Sequence, residues 1–501
     1  MLMASAAGGY TGSGIPGAPP ASAGTQRKYR LAPWTGDDYT LGHRMRAGDI
    51  PPLPRSSERR VDFVIIGGGM AGLASAYFLR DHDFLLLEQY AELGGQSRGK
   101  SYRGLDYSLG AAYMGSSDGI YGELFADLGL KPVELPDTKN SWYREGRWFP
   151  GVRGADQDIL YKSFARLIAQ CKPVWKLMPN GELELPVQGP DLERLDMQPF
   201  SAHLEGYDPK FVALVDSICK SSCCGTTSEL SALAGFYLMQ DLVSPSYVFE
   251  GGNPALARAL ASRIEESGRR RCLTGTFVWN VSLRSGGASV DYSTADGAMH
   301  RVECRKVIVT APPLVTGRII PDLDDKAKAV LLWFKYGSYL VANFCMPKKI
   351  FDGAYDNWVG SPFTFADAVV AETPYIATGS YKKMMGSVLT VYQPYSARST
   401  GREILYEGNR EELAGELIEQ LSRLVEQFQN NLDEVVLTRW GHAMVVAQPG
   451  MFAKLTRLLA LDTDPLLLAH NSMRGVPSAE SAIQAGRLAA QRCLGIHRKT
   501  G

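Results

Sequence analysis

The sequence has no excess of either charge: 53 lysines and arginines balance 53 aspartates and glutamates over 501 residues. This argues against a nucleic-acid binder held mainly by phosphate contacts, although a local basic patch stays open. No uninterrupted apolar run approaches the ~20 residues of a membrane-spanning helix, so no transmembrane anchor is expected. That absence leaves attachment to a bilayer surface open. Cysteine is sparse as well. Cys171, Cys219, Cys223, Cys224, Cys272, Cys304, Cys345 and Cys493 form no C-x-x-C pair and share no zinc spacing with histidine, so no metal site is expected. The adjacent Cys223 and Cys224 read as buried thiols in a helical region. What is left is an ordinary globular composition, 45% hydrophobic and 21% charged, in a chain long enough for two or three domains.

Residues 1–26 are rich in Gly, Ala, Ser and Pro and cannot bury enough apolar surface to offset chain entropy, so disorder is expected there. The start, "MLMASAAGG", is like the end of a secretory signal, though no basic or twin-arginine stretch precedes it. Export to the periplasm is one expectation, and a cytoplasmic protein with a floppy tail is the other. A linker, "PPLPRSSERR", covers Pro51–Arg60. Residues 1–58 together are read as leader and linker, with Tyr29–Trp34 the part able to pack on a domain.

The informative stretch is "RRVDFVIIGGGMAGLASAYFL". Val61, Phe63, Val64, Ile65 and Ile66 predict a buried strand. Gly67, Gly69 and Gly72 then fit G-x-G-x-x-G. The first glycine allows a sharp turn, the second a close approach to a pyrophosphate, and the third tight packing of the next helix on the strand. That helix would point its free N–H groups and positive dipole end at the phosphates. A second strand, "DFLLLEQ", ends at Glu88, about 20 residues past the first glycine, where a carboxylate accepts hydrogen bonds from an adenosine ribose. Strand, glycines, helix, strand and acid in register predict dinucleotide binding; the alternative is a glycine-rich turn without function.

The continuation, "QYAELGGQSRGKSYRGLDYSLGAAYMG", resembles the flavin amine oxidase superfamily, which includes monoamine and polyamine oxidases, protoporphyrinogen oxidase and phytoene desaturases. The likeness extends over about residues 59–115, 251–315 and 435–497. It implies an α/β fold: a Rossmann-like FAD-binding domain with an α+β substrate-binding domain inserted in two segments. The implied division is FAD domain at 59–150, 251–317 and 433–501, and substrate domain at 151–250, mainly helical, and 318–432, strands plus a helix.

The resemblance also implies which residues hold non-covalent FAD. They are Gly67, Gly69, Met70, Ala71 and Gly72 in the first turn, with Glu88 and Gln89 at the ribose. Gly94, Gly95, Gln96, Ser97 and Arg98 form a second glycine segment. Gln96 stands where the family has arginine, so Arg98 is expected to take over a phosphate contact. Gly110, Ala111, Ala112 and Tyr113 would approach the isoalloxazine, and the backbone of Val278 the adenosine. Ala311 and Pro312 close a strand beside the flavin. Asn471 and Ser472 fall where the family has a ribityl-binding acid, and Ser478, Ser481 and Ala482 lie at the start of the last helix. That helix would direct N–H groups at the flavin N1–C2=O edge and stabilise negative charge on reduced flavin.

Three candidates concern catalysis. Arg318 matches a lysine that monoamine oxidases bond through water to flavin N5. Arginine keeps its charge, so it is expected to position substrate or water and not to act as a base; a salt bridge is the other reading. Trp440 and His442 precede "QPG" (Gln448–Gly450). His442 replaces the cysteine that carries covalent flavin in monoamine oxidases, and is a hydrogen-bonding pocket residue, a satisfied core histidine or, as in other families, a covalent attachment point for the flavin. The two aromatics that cage an amine in those enzymes are replaced by Ala443 and Ser478. Between the blocks, aromatic residues such as Tyr339, Phe344, Trp358, Phe365 and Tyr392 are pocket wall or core. The chemistry implied is amine oxidation, a hydride passing from a C–N centre to flavin and electrons onward to oxygen or another acceptor. C–C desaturation is the alternative, and a non-catalytic flavin-binding protein is the alternative of another class. The substrate is a small molecule, and the oligomeric state is not indicated.

Overall fold

The computed structural model describes residues 29–496 apart from 137–138, 145, 151–158, 179–182, 184, 267–270 and 462–463. The signal-like start and most of the glycine-rich leader lie outside the described residues.

Two large sheets organise the chain. The first has the order Cys272–Leu273, Phe84–Leu87, Arg59–Ile66, Met299–Val309, Gly287–Ser293, Phe277–Arg284, with Leu466–Leu468 also on Met299–Val309. Arg59–Ile66 runs parallel to both neighbours. Its near-continuous apolar composition follows from burial on both faces, as parallel strands require. Helices Met70–Phe78 and Ala479–Cys493 pack over it, so closely that a Cβ on Gly486 would lie 2.3 Å from the Ala71 carbonyl. The expected meander is present, with turns between Arg284 and Gly287 and between Ser293 and Met299.

The second sheet runs Arg30–Leu31, Glu434–Val445, Tyr336–Met346, Ser387–Tyr395, Asp367–Val370, Asp356–Trp358, Asn140–Arg144, Arg147–Pro150, and Thr35–Gly36 also pairs with Glu434–Val445. Side chains alternate between its faces. Leu340, Ala342, Phe344, Leu389, Val391, Val435 and Leu437 turn one way, into a core shared with Leu417, Ile418 and Leu421 of helix Arg410–Ser422. Tyr339, Val341, Asp356, Trp358, Asp367 and Tyr392 turn the other way, into a cavity. Helices Ile159–Trp175, Pro190–Met197, Pro209–Cys223 and Ala232–Leu238 form a separate layer. Cys223 and Cys224 are fully buried, and burial pushes the Cys223 thiol up to about 12.

Two expectations need correction. Residues 29–46 are not a loose leader: Arg30–Leu31 and Thr35–Gly36 pair in parallel with Glu434–Val445, and Thr40–Arg46 is helical. The open edge of that strand supplies the hydrogen bonds, and Ala32 and Met45 are buried. Asp37 is tied down too, accepting hydrogen bonds from the Gly441 N–H at 2.8 Å and the Tyr90 hydroxyl at 3.2 Å. The boundaries expected at 150 and 433 also move. Asn140–Arg144, Arg147–Pro150 and Glu434–Val445 join the second sheet, because each finds its pairing partner there. The helix expected within 318–432 is Arg410–Ser422; Asn409 caps its start, accepting from the N–H groups of Glu411 and Glu412.

Candidate functional site

The turn after Arg59–Ile66 is built from backbone demands. Gly67 has φ +102°, and a Cβ there would lie 2.5 Å from Thr310 Oγ1. A Cβ on Gly72 would lie 1.8 Å from the Gly67 carbonyl oxygen. Gly94 donates its N–H to the Gly68 carbonyl at 2.8 Å, bringing the two glycine segments together. Helix Met70–Phe78 has Gly69 at its N-cap and no side-chain cap, so its first N–H groups stay available to an anion.

Glu88 is buried and braces this turn. Its Oε2 accepts from the Gly68 N–H at 2.6 Å and its Oε1 from the Tyr90 N–H at 2.8 Å. Burial raises its pKa, and the same N–H groups oppose the rise. Glu88→Ala removes two charge-assisted hydrogen bonds of about 1.5–3 kcal/mol each. Flavin affinity is expected to fall at least about tenfold, read by fluorescence of free flavin during dialysis. An unchanged affinity would show that Glu88 touches neither the turn's stability nor the nucleotide.

The second glycine segment leads toward the cavity. Gln96 donates its side-chain amide to the Ala443 carbonyl at 2.6 Å. The Ala111 N–H donates to the Gln96 carbonyl at 3.0 Å. Gly110 accepts from the Tyr392 hydroxyl at 2.7 Å, and the Trp440 indole donates to the Leu109 carbonyl at 2.9 Å. Arg98 is held by the carbonyls of Gly95 and Gly36, with its guanidinium over Tyr90 at 4.4 Å and Trp440 at 5.3 Å. Val278 is buried opposite Tyr292 in the meander. Pro312 caps helix Pro313–Ile319 directly after Ala311. The last helix begins at Ala479, three residues before Ala482. Ser478 and Ser481 cap each other, the Ser481 N–H donating to Ser478 Oγ at 3.0 Å and the Ser478 N–H to Ser481 Oγ at 2.8 Å.

The residues fit a flavin dinucleotide on one direct observation. The buried side-chain carbonyl oxygen of Asn471 has no hydrogen-bond partner, at the position expected to bind a ribityl hydroxyl. An unsatisfied buried acceptor is costly, and a ligand hydroxyl would satisfy it. Asn471 and Ser472, with the glycine cradle and Glu88, would hold such a group.

A cavity of about 550 Å³ lies between the sheets. It brings together Gln96, Gly110, Ala111, Ala112, Tyr113, Trp440, Ser478 and Ser481. Both former cage positions, Ala443 and Ser478, face it with small side chains. Gly67, Gly69, Gly72, Glu88, Val278 and Asn471 are not in its wall. Neither are Arg318 and His442, which corrects the placement expected for Arg318. In helix Pro313–Ile319 the buried positions are Pro313, Thr316 and Ile319, so the helical period turns Arg318 outward. His442 packs edge-on to Tyr336 at 5.5 Å. Burial, then Arg402, Arg318, His43 and Arg46, lower its pKa to about 3, so the ring is neutral at ordinary pH. Of the aromatics left undecided by sequence, Tyr339, Trp358 and Tyr392 are cavity wall, and Phe344 and Phe365 are core.

Besides Asp118 at the exposed mouth, sequence reasoning missed four carboxyl residues of the cavity wall: Asp241, Asp356, Asp367 and Glu480. Burial raises the pKa of each, and pushes Asp241 and Asp367 up to about 7. Glu480 accepts from the Gly115 N–H at 2.5 Å. The available signal was a carboxylate inside an apolar strand, as in "FADAVV" around Asp367. Among the described residues no group of His, Cys, Asp and Glu could hold a metal ion, and no helix is long and apolar enough to cross a membrane.

A mixed sheet whose parallel core carries a glycine turn, beside a second sheet that floors a partly open cavity, defines a two-sheet architecture with a cradle suited to a dinucleotide. The chain belongs to the flavin containing amine oxidoreductase family, whose model matches residues 70–494. FAD is the cofactor that this family implies. The chain is 26% identical over 300 residues to flavin-containing amine oxidase A of Bos taurus. It is 28% identical over 304 residues to that of Equus caballus. Both matches cover 56% of this chain and 55% of the relative, about half of each curated protein's length. Among solved structures, putrescine oxidase bound to putrescine superposes with a TM-score of 0.68 at 17% identity, over 87% of this chain and 99% of that one. Cyclohexylamine oxidase from Brevibacterium oxydans gives a TM-score of 0.68 at 16% identity, over 87% and 99%. At these identities the structural likeness concerns the fold.

Proposed function

We propose that the protein is an FAD-dependent enzyme that oxidises the C–N bond of a small amine, with oxygen or another acceptor taking the electrons. The observation that carries this reading is the cavity joining Gln96, Gly110, Ala111, Trp440 and Ser478 to a wall of aromatic side chains. When bound, FAD supplies a two-electron acceptor for the C–H bond beside the nitrogen. The chain's own residues orient and shield. Tyr392, bonded to Gly110, and Trp440, bonded to Leu109, fix the cavity wall against the second glycine segment. Tyr113 and Tyr339 add apolar surface that excludes water, and a dry site favours the neutral amine at the reacting end. The N-terminus of Ala479–Cys493 sets its positive dipole end at the cavity. The substrate-binding part is the second sheet with its helical layer, inserted into the FAD-binding part in two segments.

The FAD is bound non-covalently in this reading. His442 stands outside the cavity wall and no cysteine lines it. Acid precipitation is expected to release all yellow colour into the supernatant; colour in the pellet would establish a covalent link. The reaction itself is tested by anaerobic addition of amines, which should bleach the flavin, and by ammonia and peroxide formed in air. Bleaching by polyenes but by no amine would replace this reading with C–C desaturation.

A further inference from the structure

We propose that the cavity takes an aliphatic diamine or polyamine, neutral at its reacting nitrogen, whose remote ammonium is held by Asp356 and Asp367. This rests on the amine reading above and deepens it. Five carboxyl groups line the cavity, those of Asp118 at its exposed mouth and of Asp241, Asp356, Asp367 and Glu480, and among the described residues no lysine, arginine or histidine lines it. The adjoining cation, Lys139, sits behind the wall, its ammonium donating to Ser246 Oγ at 2.6 Å and the Ser244 carbonyl at 2.7 Å. One lysine cannot balance five carboxyls.

The strand register puts Asp356 and Asp367 on one face. Asp356 pairs with Val369 and Trp358 with Asp367, so the two acids are diagonal neighbours pointing into the cavity. Asp367 accepts from Ser221 Oγ at 2.6 Å. Asp356 is 5% exposed, and its Oδ1 has no hydrogen-bond partner. Buried, unpartnered carboxyl oxygen is costly unless a ligand completes it. An ammonium supplies both the charge and the donors. The rings of Trp358 and Tyr392 flank the pair and suit a cation. A monoamine, neutral at its reacting nitrogen, would leave the acids unanswered, and an anionic substrate would be repelled.

The pair also shares protons. Burial raises both pKa values, and the charge of Asp367 and the hydrogen bond between the two carboxyls raise Asp356 further; Ser221 and that same hydrogen bond favour ionisation of Asp367, and Lys139 and the Asn357 N–H that of Asp356. Tyr113, Tyr339, Tyr355 and Tyr392 face the pair as neutral phenols. A bound ammonium favours the ionised carboxylates, so binding must expel protons below about pH 7 and cease to do so well above it.

The test is calorimetric titration of the flavin-loaded protein with 1,4-diguanidinobutane and with butylguanidine, permanently charged probes of matching chain. The diguanidine is expected to bind about ten- to a hundredfold tighter. It should release protons near pH 6, read as a dependence of heat on the buffer's ionisation enthalpy, and far fewer near pH 9. Asp356→Asn with Asp367→Asn keeps shape and should abolish both the preference and the proton release. Asp241→Asn, on a separate helical segment, should weaken the diguanidine by about tenfold if the double variant fails to fold. Equal affinity for the two probes, or a preference that survives the asparagine pair, overturns the proposal. Monoamines that bleach the flavin without any diguanidine preference would sink the ammonium subsite and leave amine oxidation standing. A diguanidine preference with no amine oxidised would support the acidic subsite and sink the amine reading.

Discussion

Gly72→Val is expected to yield protein that retains no flavin. A Cβ at this position would lie 1.8 Å from the Gly67 carbonyl oxygen and 3.3 Å from Thr310 Oγ1. The obstacle is backbone and cannot rotate aside. Thr310 donates to the carbonyls of Ile66 and Gly67, at 2.9 and 3.1 Å, so the turn is pinned from the neighbouring strand as well. Relief requires helix Met70–Phe78 to lift away from the sheet, taking with it the N–H groups meant for the pyrophosphate. Overpacking of this kind costs about 1–3 kcal/mol in stability alone. The larger effect is on binding, because the displaced N–H groups lose their common focus. Gly72→Ala should weaken flavin at least about tenfold, and valine should abolish retention through dialysis. Gly415→Ala is the control: it lies in helix Arg410–Ser422 with open space around its Cβ position. It should keep all flavin and gain about 0.4–1 kcal/mol. Full flavin content in Gly72→Val would refute the cradle.

Arg301→Ala should give a large loss of folding stability, about 3–5 kcal/mol. Asp291 and Arg301 stand directly opposite each other in the meander. The guanidinium grips the carboxylate at both oxygens, Nε to Oδ1 at 2.6 Å and Nη2 to Oδ2 at 3.0 Å. The aspartate side chain has 0% exposure and the arginine 16%, so solvent does not screen the pair. Alanine would leave a buried carboxylate with the Asn280 amide as its remaining side-chain donor. Arg301→Lys keeps the charge, loses the fork, and should fall between. Asp291→Asn combined with Arg301→Met should recover most of the stability, since neither residue then buries a lone charge. Urea midpoints at constant slope are the measurement. A loss below about 1 kcal/mol in Arg301→Ala would show the pair behaves like a surface bridge.

The contrast between these two positions and the cavity acids shows where sequence reasoning works. The glycine turn was legible in full, because its demands are local: a positive φ at Gly67 and no room for a Cβ at Gly72 are satisfied within six residues. Apolar runs likewise marked the central strands of the first sheet, since period and composition follow from burial on one or two faces. Membership of a flavin family was readable for the same reason, as its motifs are short and contiguous. Phase and pairing were not. One step around a helix turned Arg318 outward, and an open strand edge captured residues 30–36 that composition assigned to a leader. Asp241, Asp356, Asp367 and Glu480 are scattered over some 240 positions and carry no motif. They meet because strands Asp356–Trp358 and Asp367–Val370 pair in one register, while a helical segment and the last helix close over them. A one-residue slip in that register would have turned both aspartates into the opposite face. Local chemistry determined the nucleotide cradle; long-range strand pairing and helix packing decided what charge the cavity presents.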